Sequence, residues 1–99
     1  DTIADGQMTT APGRHTFEVL RELVAEILLV SDDEIIAAMR LLAGTLKQLV
    51  EPSGASAFAA ALAGKIDLAG KRVGVTLSGG NVDLDRFAAL VGGPARSAT

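Results

Sequence analysis

The chain has 99 residues, enough for one small domain, and its net charge of −3 with dispersed Lys and Arg argues against a nucleic-acid-binding surface. The absence of cysteine excludes disulfides and thiolate metal sites and suits a cytoplasmic protein. No apolar run in the sequence is long enough to span a membrane. Apolar residues make up 48% of the chain but aromatic residues only 3%, so the core would be thin and we expect other polypeptide to complete it.

The N-terminal part is predicted to contain a loop, a helix and a strand. Residues 1–15 show neither helical nor strand periodicity and are punctuated by Gly and Pro, which indicates a loop that needs a scaffold. Thr16 is suited to cap a helix over 17–24, whose apolar side chains fall on one face. The apolar run 26–30 lacks polar alternation, which is typical of a strand covered on both faces.

A capping box predicts the next helix. Ser31 stands at the N-cap and Glu34 follows three residues later, so each side chain can pair with the other residue's backbone amide. We expect the helix to run from Asp32 to about Val50. The acidic residues Asp32, Asp33 and Glu34 match no calcium-loop spacing, which favours a helix start over a metal site. The predicted apolar stripe consists of Ile35, Ala38, Met39, Leu42, Leu46 and Leu49.

A second, unusually apolar helix is expected after this one. Pro52 is predicted to end the first helix and Ser53 to cap the second, over 54–63. The second helix has no charged side chain and therefore no face suited to water, so it should be covered on every side. A polar turn over 64–71 then leads to another strand.

The stretch 72–85 carries the strongest candidate site. Residues 73–77 form a short β-branched run that predicts a buried strand, and Gly79-Gly80 permit positive φ and a close backbone approach to a ligand. Asp83 is placed to cap the helix that follows, or to interact favourably with the helix dipole at its start. Ser78 lies where open α/β sheets bind ligands, at the carboxyl end of a strand, although a helix-capping role fits it equally well.

This pattern predicts an α/β fold that the chain cannot complete alone. Alternating helices and strands indicate parallel neighbours in an open sheet with flanking helices. Two strands make no stable sheet, and both are expected to be covered on two faces. We therefore predict a fragment or subunit, with 92–99 as a loose tail.

Other candidate chemistry is weaker. His15, the only histidine, has no carboxylate at a meaningful spacing and is typical of a surface residue. Walker, Gly-x-Gly-x-x-Gly and Gly-x-Ser-x-Gly motifs are absent, so anion binding at Gly79-Gly80 would rest on a helix start alone. None of the lysines lies in the apolar surroundings that a Schiff-base lysine needs. Glu51, at the break between two helices, belongs either to a solvated loop or to a site.

Five motifs resemble, in order and spacing, the C-terminal part of the serine/threonine dehydratase and serine racemase group of pyridoxal-phosphate (PLP) enzymes. The resemblance extends from about Thr2 to Val91 and implies the PLP fold type II, which is tryptophan synthase β-like, completed by an upstream segment. The motifs are Thr2-Ile3-Ala4-Asp5-Gly6, Thr16-Phe17, Val30-Ser31-Asp32-Asp33-Glu34-Ile35, Val50-Glu51-Pro52-Ser53-Gly54-Ala55 and Leu77-Ser78-Gly79-Gly80-Asn81-Val82-Asp83.

The resemblance implies roles for particular residues. Ser78 matches the serine whose hydroxyl hydrogen-bonds the pyridine nitrogen of PLP, and Glu51 matches a glutamate near the cofactor ring. The implied cofactor-binding residues are Ser78, Glu51, Gly79 and Gly6, and the implied substrate-side loop residues are Asp5 and Thr9. The family's Schiff-base lysine, tetraglycine phosphate loop and divalent-cation ligands would lie upstream, so this chain is expected to hold no catalytic lysine and no metal site.

The resemblance also implies a function. We expect 1–99 to be the C-terminal segment of a PLP-dependent catalytic domain, with 1–15 as an active-site loop, paired with an N-terminal half in a homo-oligomeric enzyme. The complete enzyme would convert serine, threonine or another β-hydroxy amino acid to a 2-oxo acid and ammonia, or racemise such an amino acid. Gln7-Met8 and Arg14-His15 depart from the commoner family pattern and leave the substrate open. The alternatives are a non-catalytic interaction module that retains the fold and a phosphate-binding regulatory domain.

Overall fold

Four α-helices form the framework of the residues that the structure describes. The computed structural model describes residues 2–8, 11 and 13–93. A short 3₁₀ turn over Asp5–Gln7 precedes the first helix. The helices are α1 (Arg14–Leu23), α2 (Asp32–Leu41), α3 (Pro52–Leu62) and α4 (Leu84–Val91). None of the helices in this part of the chain combines the length and hydrophobicity that a bilayer crossing needs.

The predicted capping box begins α2. The Ser31 amide donates to Glu34 Oε1 at 2.8 Å, and the Glu34 amide donates to Ser31 Oγ at 3.1 Å. The predicted end at Val50 is wrong, because the helix widens into a π-helical turn over Leu42–Leu46 and ends at Lys47, which takes a left-handed φ of 57°. The predicted stripe is therefore buried only up to Leu42, and its last two members are exposed.

Helix α3 packs against α2 and begins earlier than predicted. Pro52 occupies its first turn, where the missing N–H costs no hydrogen bond, and Glu51 is the N-cap. The predicted cap, Ser53, is therefore a helical residue. Small side chains bring α3 close to α2: Ala55 and Ala59 are completely buried. The charge-free helix is thus covered mainly on one side.

Helix α1 stands apart from this pair. It starts after Gly13 rather than at the predicted cap Thr16, and all of its residues are exposed. Within the described residues it packs on no other helix. Phe17 and Leu20, which lie on its apolar face, are 47% and 45% exposed.

The two predicted strands have no strand partner, and residues 2–8 and 13–93 contain no β-strand. Within this chain alone their apolar side chains are not covered, since Ile27 and Leu29 are each 83% exposed. A strand is stabilised by a ladder of hydrogen bonds to a neighbour, and no neighbouring strand lies in these residues.

The core is small, as the composition predicts. It lies between α2 and α3, and α4 packs onto it from the side of α2. Helix α4 begins after the predicted cap residue Asp83, whose side chain makes no capping hydrogen bond. The buried cluster consists of Ala4, Ile35, Ala38, Met39, Leu42, Val50, Ala55 and Ala59, with Phe58, Phe87, Leu90 and Val91 packed against it.

A buried carboxylate ties α2 to the turn after α3. Lys65 Nζ lies 3.0 Å from Glu34 Oε2, and the Glu34 side chain is only 3% exposed. The hydrogen bond from the Ser31 amide and the pairing with Lys65 hold the pKa of Glu34 below its ordinary value, against the opposing effect of burial. Glu34 therefore acts as a structural link and is not available to a metal ion.

Candidate functional site

Three segments distant in sequence meet at the N-terminus of α3. They are the turn Asp5–Gln7, residues 51–54 and the glycine loop 78–80. The Glu51 amide donates to the Gly79 carbonyl at 3.0 Å, and Gly6 lies against Ser53. Three of the residues singled out in the sequence, Glu51, Gly79 and Gly6, therefore lie in one small region.

The close approach of α3 to the glycine loop requires glycine at position 54, whose Cβ would meet backbone atoms of Gly79. A Cβ on Gly79 would lie 2.8 Å from Glu51 Oε1, which is closer than side-chain atoms pack. On the facing helix, a Cβ on Gly54 would lie 2.7 Å from the Gly79 carbonyl oxygen. The predicted positive φ at Gly79-Gly80 is wrong, since among the described glycines only Gly64 and Gly70 adopt it. Glycine is needed here for close approach rather than for a left-handed turn.

An unpaired hydroxyl lies beside this contact. Ser53 Oγ is buried and has no hydrogen-bond partner among the described residues. A Cβ on Gly6 would lie 2.8 Å from it. The sequence interpretation of Ser53 as a helix cap missed this feature, although Ser53 stands within the motif that contains Glu51. Because a buried polar atom is costly to leave unpaired, Ser53 fits a site that a polar ligand completes.

The other predicted site residues are less tightly grouped. Ser78 is exposed and directly precedes Gly79 in the extended segment 71–83. Its hydroxyl is therefore open to a group outside this chain. Thr9, predicted on the substrate-side loop, lies outside the described residues.

The turn Asp5–Gln7 is anchored by residues that the sequence interpretation missed. Asp32 accepts hydrogen bonds from the Thr2 hydroxyl and, at 3.3 Å, from the Ile3 amide. Arg86 Nη1 donates to Asp5 Oδ2 at 2.9 Å. Only proximity in the fold reveals these contacts, because Asp5 and Arg86 are 81 positions apart in the sequence.

The predicted acidic cluster at the start of α2 is structural. Asp32 is engaged by the N-terminal loop and Glu34 by Lys65. Within the described ranges, no group of three His, Cys, Asp or Glu side chains is arranged to hold a metal ion.

A cavity of about 560 Å³ is lined by residues of the turn, of the run 28–30 and of α3. Its polar lining residues are Thr2, Gln7, Glu26 and Ser56, and Gln7 Nε2 donates to Ser56 Oγ at 3.0 Å. Neither Glu51 nor Gly79 lines it. Part of its apolar wall is the run 28–30, which was predicted to belong to a strand.

Comparison with known proteins identifies the family. Residues 1–79 match the family described as pyridoxal-phosphate dependent enzyme. The chain is 50% identical over 92 residues to L-threo-3-hydroxyaspartate ammonia-lyase of Saccharomyces cerevisiae, covering 93% of this chain and 28% of that protein. It is 48% identical over 87 residues to serine racemase of Schizosaccharomyces pombe, covering 88% of this chain and 27% of that protein.

A bacterial relative gives the same result. The chain is 43% identical over 93 residues to the catabolic L-threonine dehydratase of Escherichia coli, covering 92% of this chain and 28% of that protein. The chain thus spans a little over a quarter of the length of these relatives. It belongs to the pyridoxal-phosphate-dependent enzyme family, whose fold is α/β.

Proposed function

We propose that the complete protein is a PLP-dependent ammonia-lyase that converts serine, threonine or another β-hydroxy amino acid to a 2-oxo acid and ammonia. The observation that carries this proposal is the meeting of Glu51, Gly79 and Gly6 at the N-terminus of α3. Two of the relatives are named ammonia-lyase or dehydratase, which supports the reaction class.

The residues at this meeting point fit the cofactor. Ser53 supplies a buried hydroxyl that has no partner among the described residues, and Gly79 lies close to the Glu51 carboxylate. Residues Ser78 and Glu51 would hold the PLP ring, with Gly79 and Gly6 beside it. When bound, PLP supplies an electron sink for loss of the α-proton and of the β-hydroxyl group.

Ser78 and Glu51 would tune this chemistry in different ways. A neutral hydroxyl at the pyridine nitrogen does not force that nitrogen to be protonated, as a carboxylate would, so Ser78 favours a milder electron sink. The Glu51 amide donates to the Gly79 carbonyl at 3.0 Å, which places residue 51 beside the glycine loop. Asp5 and Thr9 would line the substrate side.

The missing sheet belongs to the same proposal. Residues 26–30 and 73–77 would be strands of an open parallel sheet of PLP fold type II, paired with an N-terminal half that carries the catalytic lysine. The exposed Ile27 and Leu29 support this pairing, because such side chains are normally covered. A homo-oligomer of the complete enzyme and a cytoplasmic location remain predictions.

Racemisation is the second candidate function. It is supported by the relative named serine racemase, which is 48% identical to this chain. Both reactions begin with loss of the α-proton, so this chain's residues would have the same roles in either. A non-catalytic module is a further alternative, and it predicts a complete protein without the catalytic lysine.

The test is an assay of the complete protein with serine, threonine and 3-hydroxyaspartate. We expect release of a 2-oxo acid and ammonia, and a loss of at least about tenfold in kcat for Ser78→Ala, because one charge-tuning hydrogen bond is removed. Chiral analysis of the recovered amino acid measures racemisation. A complete protein that neither eliminates nor racemises any of these substrates would contradict the proposal.

A further inference from the structure

We propose that Arg86 is a positioning residue, which holds Asp5 and the turn Asp5–Gln7 at a fixed distance from the glycine loop 78–80. This inference rests on the proposed function, in which the turn faces the substrate and the loop faces the cofactor. Arg86 would thereby determine where the substrate lies relative to the cofactor without touching either.

The geometry of the guanidinium group supports this role. Arg86 Nη1 donates to Asp5 Oδ2 at 2.9 Å, and Nη2 donates to the Ile3 carbonyl at 3.0 Å. The planar fork of arginine thus joins a side chain and a backbone group of the same turn. A lysine at this position would offer a point charge but no fork, so it would hold the turn less rigidly.

Arg86 is also close in sequence to the glycine loop. It lies in the first turns of α4, which follows the glycine loop after only a few residues. The Val82 amide donates to the Gly80 carbonyl at 2.9 Å, and α4 packs against α2. Arg86 therefore stands on a packed helix that is joined to the glycine loop by a short stretch of chain.

The other anchors of the N-terminal loop do not hold the Asp5 side chain. Asp32 holds Thr2 and the Ile3 amide, and Ser56 accepts a hydrogen bond from Gln7. Among the described residues, only Arg86 contacts the carboxylate of Asp5, whose side chain is 55% exposed.

The solvent exposure of Arg86 and Asp5 indicates that their ion pair positions the turn and does not stabilise the fold. The Arg86 and Asp5 side chains are 41% and 55% exposed, and ion pairs at such exposed positions contribute little to folding stability. Loss of Arg86 should therefore loosen the turn while the fold and the cofactor spectrum remain unchanged.

The experiment compares variants of the complete enzyme: Arg86→Ala, Arg86→Lys, Asp5→Asn and the double variant Asp5→Asn with Arg86→Ala. The exposed Arg21→Ala on α1 is the matched control. We measure kcat and KM separately, the absorption of the bound cofactor, and hydrogen exchange of the Asp5, Gln7 and Met8 amides, which lie in the turn.

We expect Arg86→Ala to lower kcat/KM about tenfold, mostly through KM, because one charge-assisted link is lost. Turn amides should exchange faster, Arg86→Lys should recover part of the loss, and the double variant should be no worse than the more damaging of the two single variants. The cofactor spectrum and the Arg21→Ala control should match the wild type.

Additive losses in the double variant, or unchanged amide exchange in Arg86→Ala, would overturn the inference. An Arg86→Ala protein that does not fold would also contradict the inference, because we expect the ion pair not to stabilise the fold. Asp5→Asn removes the same ion pair while it retains Arg86, so it checks that result independently. A complete protein with no enzyme activity would refute the proposed function, whereas the exchange measurement would still test the link.

Discussion

The α2–α3 pair buries its apolar side chains within this chain, whereas the two segments 24–31 and 71–83 do not. Ala38 and Met39 on α2 are completely buried against α3, and the start of α2 is closed by its own capping box. Ile27 and Leu29 are apolar but 83% exposed. A helix forms its hydrogen bonds within one segment, whereas a strand needs a neighbouring strand. The helices can therefore form in this chain alone, and a strand cannot form without a partner.

The largest effect should come from the core of the α2–α3 pair. Met39→Ala removes a completely buried side chain and should lower the free energy of unfolding by about 2–5 kcal/mol. Met8→Ala is the matched control, because Met8 is 51% exposed and should change stability little. Denaturant unfolding of the complete protein measures both. Equal effects of the two substitutions would show that α2 and α3 do not form the core described.

A smaller effect should come from a substitution at Gly79, where the segment 71–83 contacts the start of α3. Gly79→Ala places a Cβ 2.8 Å from Glu51 Oε1, so that carboxylate must shift, and we expect weakened cofactor binding with a loss of stability of only about 1 kcal/mol. Gly74→Ala, in the same extended segment, is the control because a Cβ there meets nothing within 4 Å. Cofactor absorption and unfolding are measured together. Normal cofactor binding in Gly79→Ala would contradict the proposed site.

The smallest effect should be a pH dependence from Glu34. Its pKa is lowered in the folded state, so its stabilising contribution is present above the ordinary value of 4.5 and is lost as the pH falls through the lower folded value. The stability difference between wild type and Glu34→Gln should therefore shrink on acidification below 4.5. Glu18→Gln, on the exposed α1, should show no comparable trend. A difference that grows in acid would contradict the Glu34–Lys65 link.

The same contrast explains what could be predicted from the sequence. Ser31 and Glu34 are three positions apart, so their capping box is a local pattern and was confirmed. The predicted cap Thr16 was wrong, because α1 begins one turn earlier behind Gly13. The apolar run 26–30 predicts a covered strand, but pairing depends on residues elsewhere, so this strand stays a prediction.

The site was only partly predictable for a related reason. Glu51 and Gly79 were singled out from the local sequence and received cofactor roles from the family resemblance, but their contact was not visible in their spacing. Arg86 was missed because nothing local marks it, and its contact with Asp5 spans nearly the whole chain. Ser53 was predicted as a helix cap because serine is a preferred N-cap residue.

The central claim is that this chain forms one side of a PLP site. The most direct measurement is the absorption spectrum of the complete protein as purified, with an intact-mass spectrum of every polypeptide present. The account predicts a band at about 410–420 nm from the protein-bound cofactor, and a changed band in Ser78→Ala. A colourless complete protein that gains no such band with added PLP would contradict the account.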